Sequence, residues 1–193
     1  MALVGWQTLY RRPRTTVAQK GHQIYPYLLK GLPITHTNQV WATDITYIPM
    51  KRGFLYLTAV IDLHSRYIVG WSISNTMSAD WCKQVVEEAI NTYGAPEIIN
   101  TDQGSQFTSE VFTSLLKDRG VRISMDSKGR AIDNIFIERF WRSLKYEYVY
   151  LRPADDGVAL YEGVKEYIHF YNTKRLHQSL EYQTPEYRYK NAA

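Results

Sequence analysis

Asp44, Asp102 and Glu138 are the three side chains whose type and placement could do chemistry together. Folded into one site, three carboxylates repel one another and push a pKa upward unless cations neutralise them. An oxygen-only donor set, with no Cys or His, suits Mg²⁺ or Mn²⁺ rather than zinc. Two such ions about 4 Å apart can activate an attacking oxygen and stabilise the leaving oxygen of an in-line phosphoryl displacement. Lys145, two helical turns beyond Glu138, could hold a substrate phosphate as a point charge. Arg142 shares its helix face, and Lys128 and Arg130 in the loop Ser127-Lys128-Gly129-Arg130 could reach another phosphate. Contacts of this kind position a substrate without reading its sequence.

Each acid also has a purely structural reading. Asp is disfavoured in strand interiors, yet Asp44 sits within Trp41-Ala42-Thr43-Asp44-Ile45-Thr46-Tyr47. Alternation puts it on one face with Ala42, Thr46 and Ile48, opposite Trp41, Thr43, Ile45 and Tyr47. An unpaired charge there costs stability, so an exposed edge or a buried salt bridge would also explain it. Asp102 precedes Gln103-Gly104, which is ordinary turn chemistry. It also follows a short apolar strand, and the carboxyl ends of parallel strands are where open α/β sheets bind ligands. Glu138 flanks a helical stripe of Ile137, Phe140, Trp141, Leu144 and Tyr148. There a surface ion pair with Arg142 would be worth a few tenths of a kcal/mol.

The elements that must bring these acids together are legible in the pattern. Val40 to Ile48, Phe54 to Ile61 and Tyr67 to Ile73 read as strands separated by short turns, which predicts an antiparallel meander. Ser78 caps a helix running to Tyr93, ended by Gly94 and Pro96. Glu97 to Thr101 follows a helix-length crossover, so it should lie parallel to a strand already in the sheet. Thr108 or Ser109 caps a second helix to Arg119, and Val121 to Met125 is a fifth strand. A helix from about Asp133 to Tyr148 and another from Gly157 to Asn172 follow, with turn chemistry resuming at Thr184-Pro185. The order predicts an α/β fold: a five-stranded mixed sheet, three antiparallel strands followed by parallel additions, flanked by helices.

The chain of 193 residues suffices for one domain, over residues 38–193, with an arm over residues 1–37. Pro13, Gly21, Pro26, Gly31 and Pro33 make that arm irregular. From Met1 to Thr43 there is no acidic residue, while Arg11, Arg12, Arg14, Lys20 and Lys30 are present. Such a segment suits a polyanionic partner, or is a solvated tail. The lone Cys82 excludes an intrachain disulfide and falls in a helical pattern, as a core residue would. The histidines do not pair with cysteines at finger spacing, which argues against a structural zinc site. No run approaches the roughly 20 apolar residues of a membrane helix, and the start has no apolar signal region, so a cytoplasmic protein is expected.

Taken together, these segments resemble the bacterial insertion-sequence transposases of the OrfB type, relatives of the retroviral integrases. Trp41-Ala42-Thr43-Asp44-Ile45-Thr46-Tyr47 is similar to their first acidic motif, and Asn100-Thr101-Asp102-Gln103-Gly104-Ser105-Gln106-Phe107 to their second. Asp133-Asn134, Glu138-Arg139-Phe140-Trp141 and Leu144-Lys145 look like the third. Thirty-five residues stand between Asp102 and Glu138, as in the family, and the tail Tyr171-Asn172, His177-Gln178-Ser179-Leu180 and Thr184-Pro185 is similar to the family's ending.

The resemblance implies an RNase H-like fold, the DDE integrase catalytic core, and Mg²⁺-dependent cleavage of a DNA strand. The freed 3′ hydroxyl then attacks a second phosphodiester, with no covalent protein intermediate. It implies Asp44, Asp102 and Glu138 as catalytic metal ligands for two Mg²⁺ ions, with Mn²⁺ as a substitute. Lys145 is implied as a DNA contact and Asn134 as an orienting residue, although an Asn at a helix start is also a common cap. Asp62, at the end of the second strand, reads as structural rather than as a fourth ligand. The implied partners are transposon-end and target DNA, further copies of the chain in a synaptic complex, and a helix-turn-helix accessory protein. Family members extend further at the amino end, which leaves a truncated, catalytically idle DNA-binding fragment as the alternative. A plain nuclease on the same fold is a third reading.

Overall fold

The computed structural model describes residues 23–126 and 134–191. Five strands form its sheet: β1 (Val40–Pro49), β2 (Phe54–Asp62), β3 (Ile68–Ser74), β4 (Ile98–Thr101) and β5 (Arg122–Met125). Their order is β3-β2-β1-β4-β5. β1, β2 and β3 pair antiparallel, as short turns require, whereas β4 and β5 add on in parallel. The parallel additions follow from the crossovers, α1 (Ala79–Tyr93) before β4 and α2 (Glu110–Asp118) before β5. The expected mixed sheet is therefore present.

Both helix starts are fixed by hydroxyls. Ser78 Oγ accepts from the Trp81 backbone N–H and Ser109 Oγ from that of Phe112, which selects Ser109 over Thr108 as the cap. The sheet buries both faces. Trp41, Val60 and Ile99 pack against Cys82, Val85 and Val86 of α1 and Phe112 and Leu116 of α2. Val40, Ala42, Ile48 and Ile98 pack on the other side against α3 (Ile135–Leu144) and α4 (Gly157–Thr173). One-residue alternation along β1 and β4 thus sorts the side chains between two cores.

The long helix expected to run to Tyr148 differs. α3 stops at Leu144 and the chain widens into a π turn over Lys145–Val149, with the Tyr150 N–H reaching the Lys145 carbonyl at 2.9 Å. The extra residue per turn shifts the stripe by one position, so Val149 is buried and Tyr148 is only partly so. Tyr148 instead sets its hydroxyl against Gly163 on α4, where any Cβ would collide with it. The tail also holds more structure than turn chemistry. Thr184 caps a short helix, α5 (Pro185–Lys190), with Pro185 in its first turn. From α5, Tyr189 stacks on Tyr67 and donates to Asn38 Oδ1 at 2.7 Å, tying the chain's end to the entry of β1.

From Gln23 onward the irregular leading segment lies on the domain. The Leu28 N–H donates to Ser124 Oγ at 3.0 Å, and Leu28, Leu29, Leu32 and Ile34 pack against the α3–α4 side core. The arm's basic residues Arg11, Arg12, Arg14 and Lys20 lie outside the described residues. No helix among the described residues is long and apolar enough to cross a membrane.

Asp62 closes β2 and is fully buried. Its carboxylate accepts from the Ser65 N–H (2.8 Å), Ser65 Oγ (2.6 Å) and the Asn38 N–H (2.8 Å). It thereby holds the β2–β3 turn and the start of β1 together. Truncating it strands three donors in the interior, so Asp62→Ala should destabilise the fold by about 2–4 kcal/mol. Urea unfolding measures this, and the loss should be the same with and without divalent cations.

Candidate active site

β1 and β4 place the first two acids side by side. Ala42 is opposite Asn100 in the parallel pairing, and Asp44 and Asp102 each lie two residues further along. Both therefore reach the same end of the sheet on the same face, the one covered by α3. Asp102 begins the connection to α2, and its Oδ1 accepts from the Gly104 N–H at 2.9 Å. A Cβ on Gly104 would stand 2.9 Å from that oxygen, so glycine is what allows the loop to fold so close to the carboxylate. Gln103 Nε2 and Asn100 Nδ2 both donate to Asp126 at 2.8 Å and brace the loop from β5's end.

α3 brings the third acid. Ile137, Phe140, Trp141 and Leu144 sink into the core, and the indole N–H of Trp141 donates to Asp44 Oδ2 at 2.9 Å. Glu138, three residues before Trp141, is exposed and lies close enough for its charge to act on Asp44. Burial pushes Asp44 up to about 6; the charges of Asp102 and Glu138 push the same way, against the hydrogen bonds from Trp141 and Ile45. The sequence led us to expect repulsion as the main cause. Desolvation is larger, because Asp44 is set into the sheet beneath α3.

The charges of Asp102 and Glu138 thus reach Asp44, and among the described residues no cation forms a salt bridge with it. The three carboxylates do not form a closed cage: among the described residues no three Asp, Glu, His or Cys side chains stand close enough to share one ion. Asp102 and Glu138 are exposed. A surface ion pair between Glu138 and Arg142 is not among the salt bridges of the described residues; Arg142 lies over the Tyr146 ring, 5.9 Å from its centroid.

Lys145 turns back onto β1. Its Nζ donates to Thr46 Oγ1 at 2.8 Å and sits 4.8 Å over the Tyr47 ring, with burial lowering its pKa and Asp44 opposing that. Asn134 is buried at the start of α3 but makes no side-chain capping bond. Lys128 and Arg130 lie outside the described residues. Sequence reading assigned Trp141 only to the core and Thr46 only to a strand face. The clue for Trp141 was that a buried indole N–H needs an acceptor, and Asp44 is the acceptor of matching depth.

Two models of the integrase core domain match the chain, over residues 34–131 and 119–185. The chain belongs to the integrase core domain family. It is 39% identical over 155 residues to the transposase for insertion sequence element IS904 of Lactococcus lactis, covering 79% of this chain and 61% of that protein. It is 31% identical over 182 residues to the putative transposase InsK for insertion sequence element IS150 of Escherichia coli, covering 93% of this chain and 63% of that protein. The chain therefore spans about three fifths of the length of these relatives. Among solved structures, the HTLV-2 integrase catalytic core domain in complex with magnesium superposes with a TM-score of 0.64 at 19% identity, covering 80% of this chain and 97% of that one. A simian T-cell lymphotropic virus intasome chain gives a TM-score of 0.71 at 18% identity, covering 89% of this chain and 60% of that one. The integrase core fold so matched is the RNase H-like fold that the sequence implied.

Asp44 has a folded-state pKa above its ordinary value of 3.8. Its contribution to stability is therefore fully present below about pH 4 and is lost as pH rises through about 6. Asp44→Asn removes the charge and the penalty. In metal-free buffer the variant should exceed the parent at pH 7.5 by roughly 1–2 kcal/mol, and the gap should close below pH 4. Denaturant melts across pH give the readout; equal curves at pH 7.5 would show that Asp44 carries no such penalty.

Proposed function

We propose that the chain is the catalytic core of a DNA transposase, a DDE polynucleotidyl transferase that cleaves and joins strands with divalent metal ions. The observation that carries this reading is a half-buried carboxylate, Asp44, in the middle of β1 and exposed to the charge of two further acids. Such an arrangement is costly in the free protein and becomes favourable when a cation enters. The donors are all oxygen, which fits Mg²⁺ or Mn²⁺. Asp44, Asp102 and Glu138 would hold the ions, with the exposed Asp102 and Glu138 closing on a site anchored by the Trp141-braced Asp44. When bound, two such ions supply activation of the attacking oxygen and charge stabilisation on the leaving oxygen.

The chain's own residues supply position. Trp141 fixes the Asp44 carboxylate through its indole N–H. Lys145, braced by Thr46, presents a cation beside the acids to which a DNA phosphate can bind. Arg142 extends the cationic face of α3. Transposon-end and target DNA are the substrates on this reading, with further copies of the chain holding two ends together. A helix-turn-helix accessory protein has no support in the relatives' names.

Asp44→Asn, Asp102→Asn and Glu138→Gln should each remove strand transfer on element-end DNA by at least about 10³-fold while leaving a cooperative melt. A folded variant that retains strand transfer removes that residue from the catalytic set. Mg²⁺ or Mn²⁺ should raise the melting temperature of the parent but not of Asp44→Asn, a readout independent of turnover. DNA binding without any nicking in Mn²⁺ would favour an idle, DNA-binding fragment, and cutting without joining would favour a plain nuclease.

A further inference from the structure

Arg66, Arg139, Arg142 and Arg175 converge with Ser143 and Ser179 on a cavity of about 230 Å³. The cavity opens mainly on the flank of α3 away from Glu138, with Arg142, which lies between Glu138 and Arg139 around the helix, reaching it from the exposed face. Glu138 and Lys145 stack seven residues apart on one side, whereas Phe136, Arg139 and Ser143 follow at helical spacing on the other and line the cavity. Its opposite wall comes from the β2–β3 turn, through Arg66, and from the segment after α4, through Arg175 and Ser179.

The charges here are poorly balanced. Arg175 has its own carboxylate, with Glu147 at 2.6 Å. No salt bridge is found for Arg66, Arg139 or Arg142 among the described residues. Arg66 lies 3.5 Å over the Phe136 ring, which sets its plane, and its Nη1 is buried without a hydrogen-bond partner. Burial, aided by repulsion from Arg139, pushes Arg66 down to about 10. Asp62 attracts Arg66 but spends its hydrogen bonds on Ser65 and Asn38. His177, also on the wall, is held to about 4 by burial and by the nearby Arg175 and Arg66, so it adds no charge at neutral pH. A half-buried guanidinium, oriented by a ring and with one buried Nη lacking a partner among the described residues, is suited to an anion when like charges and hydroxyls surround it.

We propose that this cavity is a second phosphate-binding site, which holds a backbone phosphodiester of DNA on the flank of α3 opposite Glu138. The inference rests on the reading that the chain acts on DNA. A tetrahedral phosphate offers oxygens in several directions, which converging guanidiniums and hydroxyls can meet at once, whereas a single fork satisfies the two coplanar oxygens of a carboxylate. The flanks of a helix are about 10 Å apart. That is about three nucleotides of one strand at 3.4 Å rise, so a strand crossing α3 can reach both sites.

The test is fluorescence anisotropy of the full chain with a labelled element-end duplex, read as affinity against salt. Arg139→Gln and Arg66→Gln should each weaken binding by about three- to tenfold near 0.1 M salt and lower the slope of log K against log salt by about 0.9. Lys83→Gln, on α1 across the sheet, is the control and should leave the slope unchanged. Arg139 is exposed, so its variant keeps the test decisive should Arg66→Gln fail to melt cooperatively. An unchanged slope in folded Arg139→Gln overturns the proposal; if self-association measured by sedimentation shifts instead, the cavity binds a protein carboxylate. A parent chain that binds no DNA would overturn the underlying DNA reading as well, which separates the two failures.

Discussion

The hydrogen bond from the Trp141 indole to Asp44 is the contact on which the geometry of the acidic end depends. It crosses from α3 to β1, spans 97 positions of sequence, and joins the deepest acid to the helix that carries Glu138. An unpartnered indole N–H and an unpartnered carboxylate would each be costly at this depth. Paired, they satisfy each other and fix the rotation of α3 on the sheet. Yet a neutral donor leaves the carboxylate's charge in place. The pair therefore settles orientation while the electrostatic demand of the carboxylate remains.

The sheet order sets Asp102 beside Asp44. The order β3-β2-β1-β4-β5 puts the strand bearing Asp44 at the centre, next to the strand that ends in Asp102. Their register is a consequence of hydrophobic sorting, because a slip of one residue would exchange the two cores that alternate along β1. Asp62 performs the structural counterpart at the end of β2, three residues beyond Ala59, the partner of Asp44, where three short hydrogen bonds satisfy it and no second acid is needed. Two buried or half-buried aspartates on neighbouring strands thus have opposite roles, and their partners distinguish them.

Most of the fold was legible in the sequence because its signals are local. Alternation in β1, the serine caps of α1 and α2 and the glycine and proline punctuation named strands and helices to within one or two residues. The parallel placement of β4 and β5 followed from crossover length. The π turn after Leu144 was not legible, since the spacing of Tyr148 suits an uninterrupted helix and only packing against Gly163 of α4 decides the shift. α5 was missed for a related reason: Thr184-Pro185 fits a turn and a helix start equally well, and the Tyr189 contacts that favour the helix are long-range. Asp44, Asp102 and Glu138 could be singled out by residue type, but the contribution of burial to Asp44 could not, because depth beneath α3 is a tertiary property.

α3 shows how much one short helix can be asked to do. Its buried stripe anchors it, one flank carries Glu138, and the opposite flank carries Arg139 and Ser143 toward an arginine-rich cavity. With 3.6 residues per turn these sets cannot be moved independently: a rotation that improved one flank would withdraw the other and lift Trp141 from Asp44. The π turn at Lys145 follows directly, and it lets the chain re-enter the core at Val149 without rotating the α-helical part. A local departure from regular helix is thus what allows α3 to keep three directional commitments at once.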